Sequence, residues 1–117
     1  MNRAAIFGCG TGGKRACMYL GSKYRVVTFL DNNRQAHGSR VCGIPVNDPG
    51  NFDYQQVEHV FIASMYFDAI LVQLLTLGVP SSKIEEVSDQ ILMNDQPKRR
   101  AFGALRRAFY LPFRLLR

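Results

Sequence analysis

Apolar residues in this chain come in short runs broken by glycine or polar clusters. The first run, Ala4-Ala5-Ile6-Phe7, contains no polar side chain, the pattern of a strand covered on both faces. Residues 14–21 then carry Ala16, Cys17 and Leu20 at helical spacing, which predicts a helix stopped at Gly21. Residues 25–31 contain Val26-Val27-Thr28-Phe29-Leu30 and predict a second strand, ended by the turn-forming Asp31-Asn32-Asn33. Residues 37–46 read as an irregular segment with a short strand near Val41 or Val46. Asp48-Pro49-Gly50-Asn51 reads as a loop, and residues 53–57 as one helical turn. Val60-Phe61-Ile62-Ala63, within residues 58–64, is another strand without alternation. Phe67 to Leu77 places Ile70, Leu71, Leu74 and Leu75 on one helical face, with Gly78 as its cap and Pro80 forbidding continuation. Ile84 to Val87 is the last short strand. Strands alternating with helices predict an α/β domain built on a right-handed parallel sheet of about five strands with flanking helices.

Composition changes this picture at one place. Residues 1–96 carry eight Lys/Arg against nine Asp/Glu, whereas residues 97–117 carry seven Lys/Arg and no acid. The formal net charge of +6 therefore belongs to the tail and says nothing about a ligand of the domain. The expected organisation is one small domain over residues 1–96 and a basic tail over residues 97–117. In the tail, Phe102, Leu105, Phe109, Phe113 and Leu116 recur at three- and four-residue spacing, with Arg99, Arg100, Arg107 and Arg114 to one side. That is a basic amphipathic helix, kinked at Pro112. It suits an anionic membrane surface, the domain's own sheet or a dimer partner. The aromatic residues lie on the apolar stripe and not among the arginines, so nucleic acid is the unlikely partner. No apolar stretch approaches the ~20 residues of a membrane span, and no signal peptide opens the chain. Cys9, Cys17 and Cys42 are odd in number and lack metal-ligand spacing, which suits a reducing compartment and a cytoplasmic protein, with the tail peripheral to the inner face of the membrane.

The chemistry is concentrated where the first strand ends. Gly8-Cys9-Gly10-Thr11-Gly12-Gly13 is a Gly-x-Gly-x-x-Gly motif, and eighteen residues after Gly13 the second strand ends in Asp31. Gly8 permits a tight turn, Gly10 lets a diphosphate approach the backbone, and Gly13 lets helix and strand pack closely. Phosphates would then meet free N–H groups at a helix N-terminus, and Asp31 would accept hydrogen bonds from a ribose. Gly8 and Gly13 with Lys14 also fit a phosphate-binding ATPase loop. Arg15 stands where that loop needs Ser or Thr to hold magnesium, which sets the ATPase reading aside. Cys9 is a small residue filling a tight turn, with a reactive thiol as the competing role.

Five segments, "IFGCGTGGKRACMYL", "VVTFLDNN", "GSRVCGIPV", "VFIAS" and "LLTLGVPSSKI", in this order resemble the small Rossmann-type nucleotide-binding domains of bacterial sugar and polysaccharide pathways. Such domains occur at the N-terminus of sugar acetyltransferases and of membrane-associated sugar-nucleotide dehydratases and epimerases, and as short free-standing proteins. The match covers about residues 4–87. The resemblance implies a Rossmann-like fold and a ligand that is NAD(P) or a UDP-type sugar nucleotide. Gly8, Cys9, Gly10, Thr11, Gly12 and Gly13 would surround the phosphates. Asp31, with Asn32 and Asn33, would contact ribose or base, and Ala63 and Ser64 would close the crevice. Ser64 is equally suited to capping the helix that starts near Phe67. The Asp31 charge repels a 2′-phosphate, so NAD is favoured over NADP.

Catalytic residues do not assemble. The larger dehydratases and epimerases use a Tyr-x-x-x-Lys pair, and only Tyr19 with Lys23 has that spacing, at the end of the first helix. It reads as coincidence. Tyr66 and Asp68 lie better placed near a ligand. His37 falls in a mouth loop, where a lone histidine is usually solvated. The function expected is binding of NAD(H) or a UDP-type sugar nucleotide in surface-polysaccharide or sugar-nucleotide metabolism, in support of a partner enzyme. The alternatives are an NAD-dependent sugar-nucleotide dehydrogenase or epimerase completed by homo-oligomerisation, and a scaffold or regulatory protein with a vestigial pocket.

Overall fold

The computed structural model describes residues 1–88, 91 and 92. Strand β1 (Arg3–Phe7) leads through helix α1 (Thr11–Leu20) to β2 (Arg25–Leu30). A hairpin of β3 (Arg40–Val41) and β4 (Ile44–Asn47) follows, then β5 (His59–Ile62), α2 (Phe67–Thr76) and β6 (Ile84–Glu86). The spatial order is β3-β4-β2-β1-β5-β6. All neighbours pair parallel except β3 with β4, an antiparallel edge. From β1 the chain builds outward through β2 to β4, then returns to the other side of β1 with β5 and β6. The order therefore reverses between β1 and β5, and the carboxyl ends of those two strands flank a crevice. This is the Rossmann-like α/β sheet expected from the sequence.

The central strands lack polar–apolar alternation because each face carries its own core. Ala4 and Ile6 of β1 join Phe29, Phe61 and Ala16 of α1 in one cluster. Ala5 and Phe7 join Leu30, Val60, Ile62 and the α2 residues Phe67, Ile70, Leu71 and Leu74 in the other. α2 ends in a Schellman motif: Val79 N–H donates to Leu74 O and Gly78 N–H to Leu75 O, with Gly78 at φ +88°. Gly21 also follows its helix, yet at φ −63° it needs no glycine.

Two differences from the sequence reading have local causes, and the expected helical turn near residues 53–57 is present. α1 begins at Thr11, three residues earlier than its apolar periodicity, because Gly12 and Gly13 are helical while looking like loop. The segment from residue 37 to 46 holds a hairpin with a strand at both suggested positions, Val41 and Val46. Its turn is Cys42-Gly43 at φ +53° and +75°, a left-handed pair usually signalled by Asn-Gly. The turn near residues 53–57 is a 3-10 turn at Tyr54–Gln56 capped by Asp53, whose side chain accepts from Gln55 N–H. The expected boundary at Pro97 and the basic amphipathic helix of residues 97–117 lie outside the described residues. Among the described residues no helix is long and apolar enough to cross a membrane.

Candidate functional site

The glycine loop leaves the carboxyl end of β1 and enters α1. Gly8 sits at φ +113°, and a Cβ there would lie 2.7 Å from Ala63 O. A Cβ on Gly13 would overlap the carbonyl oxygen of Gly8. The fold itself therefore requires glycine at both positions. Gly10 differs. Its φ of −79° suits any residue, and a Cβ there would meet nothing within 4 Å. It is the N-cap of α1, where no side chain caps the helix. The first-turn N–H groups, which no helix can satisfy internally, belong to the residues that follow Gly10.

In front of Gly10 lies a cleft of about 580 Å³, a size suited to a small-molecule ligand. Phe7, Gly8 and Gly10 line one wall, Asp31 and Asn32 the end of β2, and Ala63, Ser64, Tyr66, Ala69, Ile70 and Gln73 the other wall. Of the site residues expected from sequence, Gly8, Gly10, Asp31, Asn32, Ala63 and Ser64 border it. Cys9, Thr11, Gly12, Gly13 and Asn33 do not. Cys9 and Gly13 serve the loop's own packing. Asn33 caps a 3-10 turn by accepting from Gln35 N–H at 3.1 Å. Gly12 is covered by Leu92.

Among the described residues Asp31 carries the one charge in the lining, and the protein already uses it. Its Oδ2 accepts the Cys9 N–H at 3.0 Å and the Cys9 thiol at 3.2 Å. Its Oδ1 accepts the Asn33 N–H at 2.9 Å. Partial burial alone would raise its pKa, but the N–H groups of Asn33 and Cys9 and the thiol outweigh it and hold the carboxyl below its ordinary value. The reverse holds for Cys9. Burial first, then the hydrogen bond to Asp31 and its charge, push the thiol up to about 11. It stays protonated at neutral pH, which removes the reactive-thiol role. The second lone pair of Oδ1 remains the place where a ribose hydroxyl could donate.

Around the cleft one pair of side-chain bonds joins residues far apart in sequence, and local contacts brace the rest. Asn32 Nδ2 donates to Gln73 Oε1 at 2.9 Å, and Gln73 Nε2 donates to Asn32 Oδ1 at 2.8 Å. This reciprocal clasp ties the end of β2 to α2. Gln73 looked like an ordinary helix residue in the sequence. Ser64 Oγ accepts from Tyr66 N–H at 3.1 Å, so it orders the turn before α2, whose N-cap position is Tyr66. His37 is not simply solvated: its Nε2 lies 2.6 Å from the carbonyl oxygen of Asp31 and props the β2 end. Tyr66 lines the cleft and is 74% exposed, an aromatic face available to a ligand, whereas Asp68 stays outside. Lys23 lies over the Tyr19 ring at 5.0 Å, a surface cation–π pair remote from the cleft. Among the described residues no group of three metal-ligating side chains forms.

A strand–glycine loop–helix unit beside the point where strand order reverses defines a Rossmann-type α/β fold. Residues 1–85 match the family described as C2185-like, N-terminal, and the chain belongs to that family. No curated protein matches the sequence. Among solved structures, UDP-D-quinovosamine 4-dehydrogenase from Vibrio fischeri is similar at 18% identity and a TM-score of 0.52, over 73% of this chain and 75% of that one. RSP, a Rex-family repressor, is similar at 14% identity and a TM-score of 0.59, over 96% of this chain and 60% of that one. RSP in complex with β-NADH gives 13% identity, a TM-score of 0.57, and 100% and 65% coverage. Another RSP structure holds β-NAD+ and operator DNA. A structural neighbour is thus found in complex with DNA, so the expectation that sets nucleic acid aside does not hold.

Proposed function

We propose that this protein binds a ligand containing a nucleoside diphosphate, NAD(H) or a UDP-type sugar nucleotide, and serves a partner enzyme of sugar-nucleotide or surface-polysaccharide metabolism. The observation that carries the reading is Gly10. Gly8 and Gly13 are glycine because the fold leaves no alternative. Gly10 is glycine where the fold allows any side chain, at an uncapped helix N-terminus opening on the cleft. A bare backbone there lets phosphate oxygens reach the N–H groups. Among the described residues the lining offers no Lys or Arg side chain: Arg15 donates its Nη1 to Leu92 O at 2.8 Å, and Lys14 is exposed outside the cleft. Backbone N–H groups and the helix dipole would therefore hold the phosphates. Asp31 favours an unphosphorylated ribose. The similarity to a UDP-sugar dehydrogenase and to NAD(H)-bound repressor structures supports both ligand classes. The basic tail stripe supports placement at the inner face of a membrane.

The test pairs two glycines in a thermal melt. A ligand at ten times its Kd stabilises the fold by about 1.4 kcal/mol, about 6 °C for a chain of this size. NADH or UDP-glucose should produce that shift. Gly10→Val should still fold, melting somewhat below the parent because valine is a poorer N-cap than glycine, and should lose the shift, whereas Gly8→Ala should fail to fold. A Gly10→Val protein that keeps the full shift would place the ligand elsewhere.

A further inference from the structure

The cleft opens on one side of the glycine loop and is closed on the other. Its lining comes from the ends of β1, β2 and β5 and from α2, and among the described residues none after β6 contributes. On the β6 side the chain turns back over α1. Val87 N–H donates to Ile62 O and prolongs the β6 pairing, and Ser88 O then accepts the N–H groups of Ile91 and Leu92. This turn lowers Leu92 onto the first turn of α1, where it is 7% exposed. A Cβ on Gly12 would meet Leu92 Cδ2 at 3.2 Å. The 2.8 Å bond from Arg15 to the Leu92 carbonyl fixes the contact.

A dinucleotide laid across such a sheet puts its diphosphate on the glycine loop and one nucleoside on either side of the crevice. With one nucleoside at Asp31, the other would lie beyond Gly12 toward β6, where Leu92 sits. We infer that the cleft is a half-site: it takes one nucleoside and the diphosphate, and Leu92 keeps whatever the distal phosphate carries off the sheet. The inference rests on the nucleotide-binding reading above and narrows it. The recognised unit is the nucleoside diphosphate that NAD(H) and UDP-sugars share. Among the described residues none then holds the distal group, which stays within reach of a partner enzyme.

The experiment titrates the full chain calorimetrically with ADP, ADP-ribose, NADH, UDP and UDP-glucose, and measures saturation-transfer difference NMR on whichever large ligand binds. In the series that binds, the bare diphosphate should match the larger ligand within threefold. The distal group, nicotinamide or hexose, should receive less than a third of the saturation reaching the base, and Leu92→Ala should raise that ratio. A larger ligand more than threefold tighter than its diphosphate, equal saturation at both ends, or a ratio unmoved by Leu92→Ala overturns the half-site while leaving nucleotide binding intact. If Leu92→Ala does not fold, the comparisons on the parent chain still decide. Binding by none of the five overturns the nucleotide reading, and the half-site with it.

Discussion

Asp31→Asn changes two atoms' chemistry and almost no volume, yet the geometry predicts a substantial loss of stability before any ligand is added. The carboxylate accepts at both oxygens: Cys9 N–H and thiol on one, Asn33 N–H on the other. A carboxamide accepts at only one. In either orientation its NH2 faces a backbone N–H at about hydrogen-bond distance, against Cys9 or against Asn33. A hydrogen bond to a charged acceptor is worth roughly 1.5–3 kcal/mol. Asp31 is only partly buried, so water can rescue part of the loss and about 2 kcal/mol is expected. For a chain of 117 residues that lowers Tm by roughly 8 °C. The pH dependence has a definite sign. The folded-state pKa of Asp31 lies below its unfolded value, so its contribution is complete above an unfolded pKa of about 4 and fades as pH falls through the folded value. Melting of the ligand-free parent and variant, followed by circular dichroism, should show a constant gap between pH 8 and 5 that narrows below pH 4. An Asp31→Asn protein melting within 2 °C of the parent at pH 7, or a gap unchanged down to pH 3, would refute the tether. A ligand role adds to this and is read separately: among folded protein, the variant should lose more affinity for NAD than for NADP.

Two other expectations follow from single features. At pH 8, iodoacetamide should label the exposed Cys42 first and Cys9 far more slowly, because the Cys9 thiol is pushed up to about 11; peptide mass spectrometry showing Cys9 labelled first would contradict the Asp31 bond. In sedimentation with anionic liposomes at low salt, the full chain should pellet and a version ending at Gln96 should not, with attraction of about 1 kcal/mol per cation near the surface; equal behaviour of the two removes the membrane role of the tail.

Wherever a single side-chain property sufficed, the fold and the site could be read from the chain. Unbroken apolar runs gave the central strands because both faces of β1 and β5 are covered. The spacing of Gly8, Gly10 and Gly13 marked the loop, since Gly8 and Gly13 answer to local geometry and Gly10 leaves the helix end bare. Strands whose pairing hides behind unusual turn chemistry were harder: Cys42 occupies a left-handed position where asparagine would have announced the hairpin. Contacts between distant residues were not readable at all. Asp31 reaches back twenty-two positions to Cys9, and Asn32 reaches forward forty-one to Gln73. Asp31 was legible as a ligand contact at a strand end, but its work of holding the glycine loop depends on how β1 and β2 lie side by side. Leu92 over Gly12 is the same kind of fact, fixed by where β6 delivers the chain.

The Asn32–Gln73 clasp has a consequence for timing. Each amide gives and takes one hydrogen bond, so the pair opens as a unit. Both side chains touch water, and breaking the clasp costs on the order of 1 kcal/mol. A base that uses either amide must find the clasp open, and its measured affinity is then about fivefold below its intrinsic one. Opening needs only rotation of exposed side chains, which takes picoseconds to nanoseconds. The clasp therefore lowers the rate of productive arrival about fivefold and leaves release untouched: only encounters that find the pair open succeed, and a bound base keeps it open.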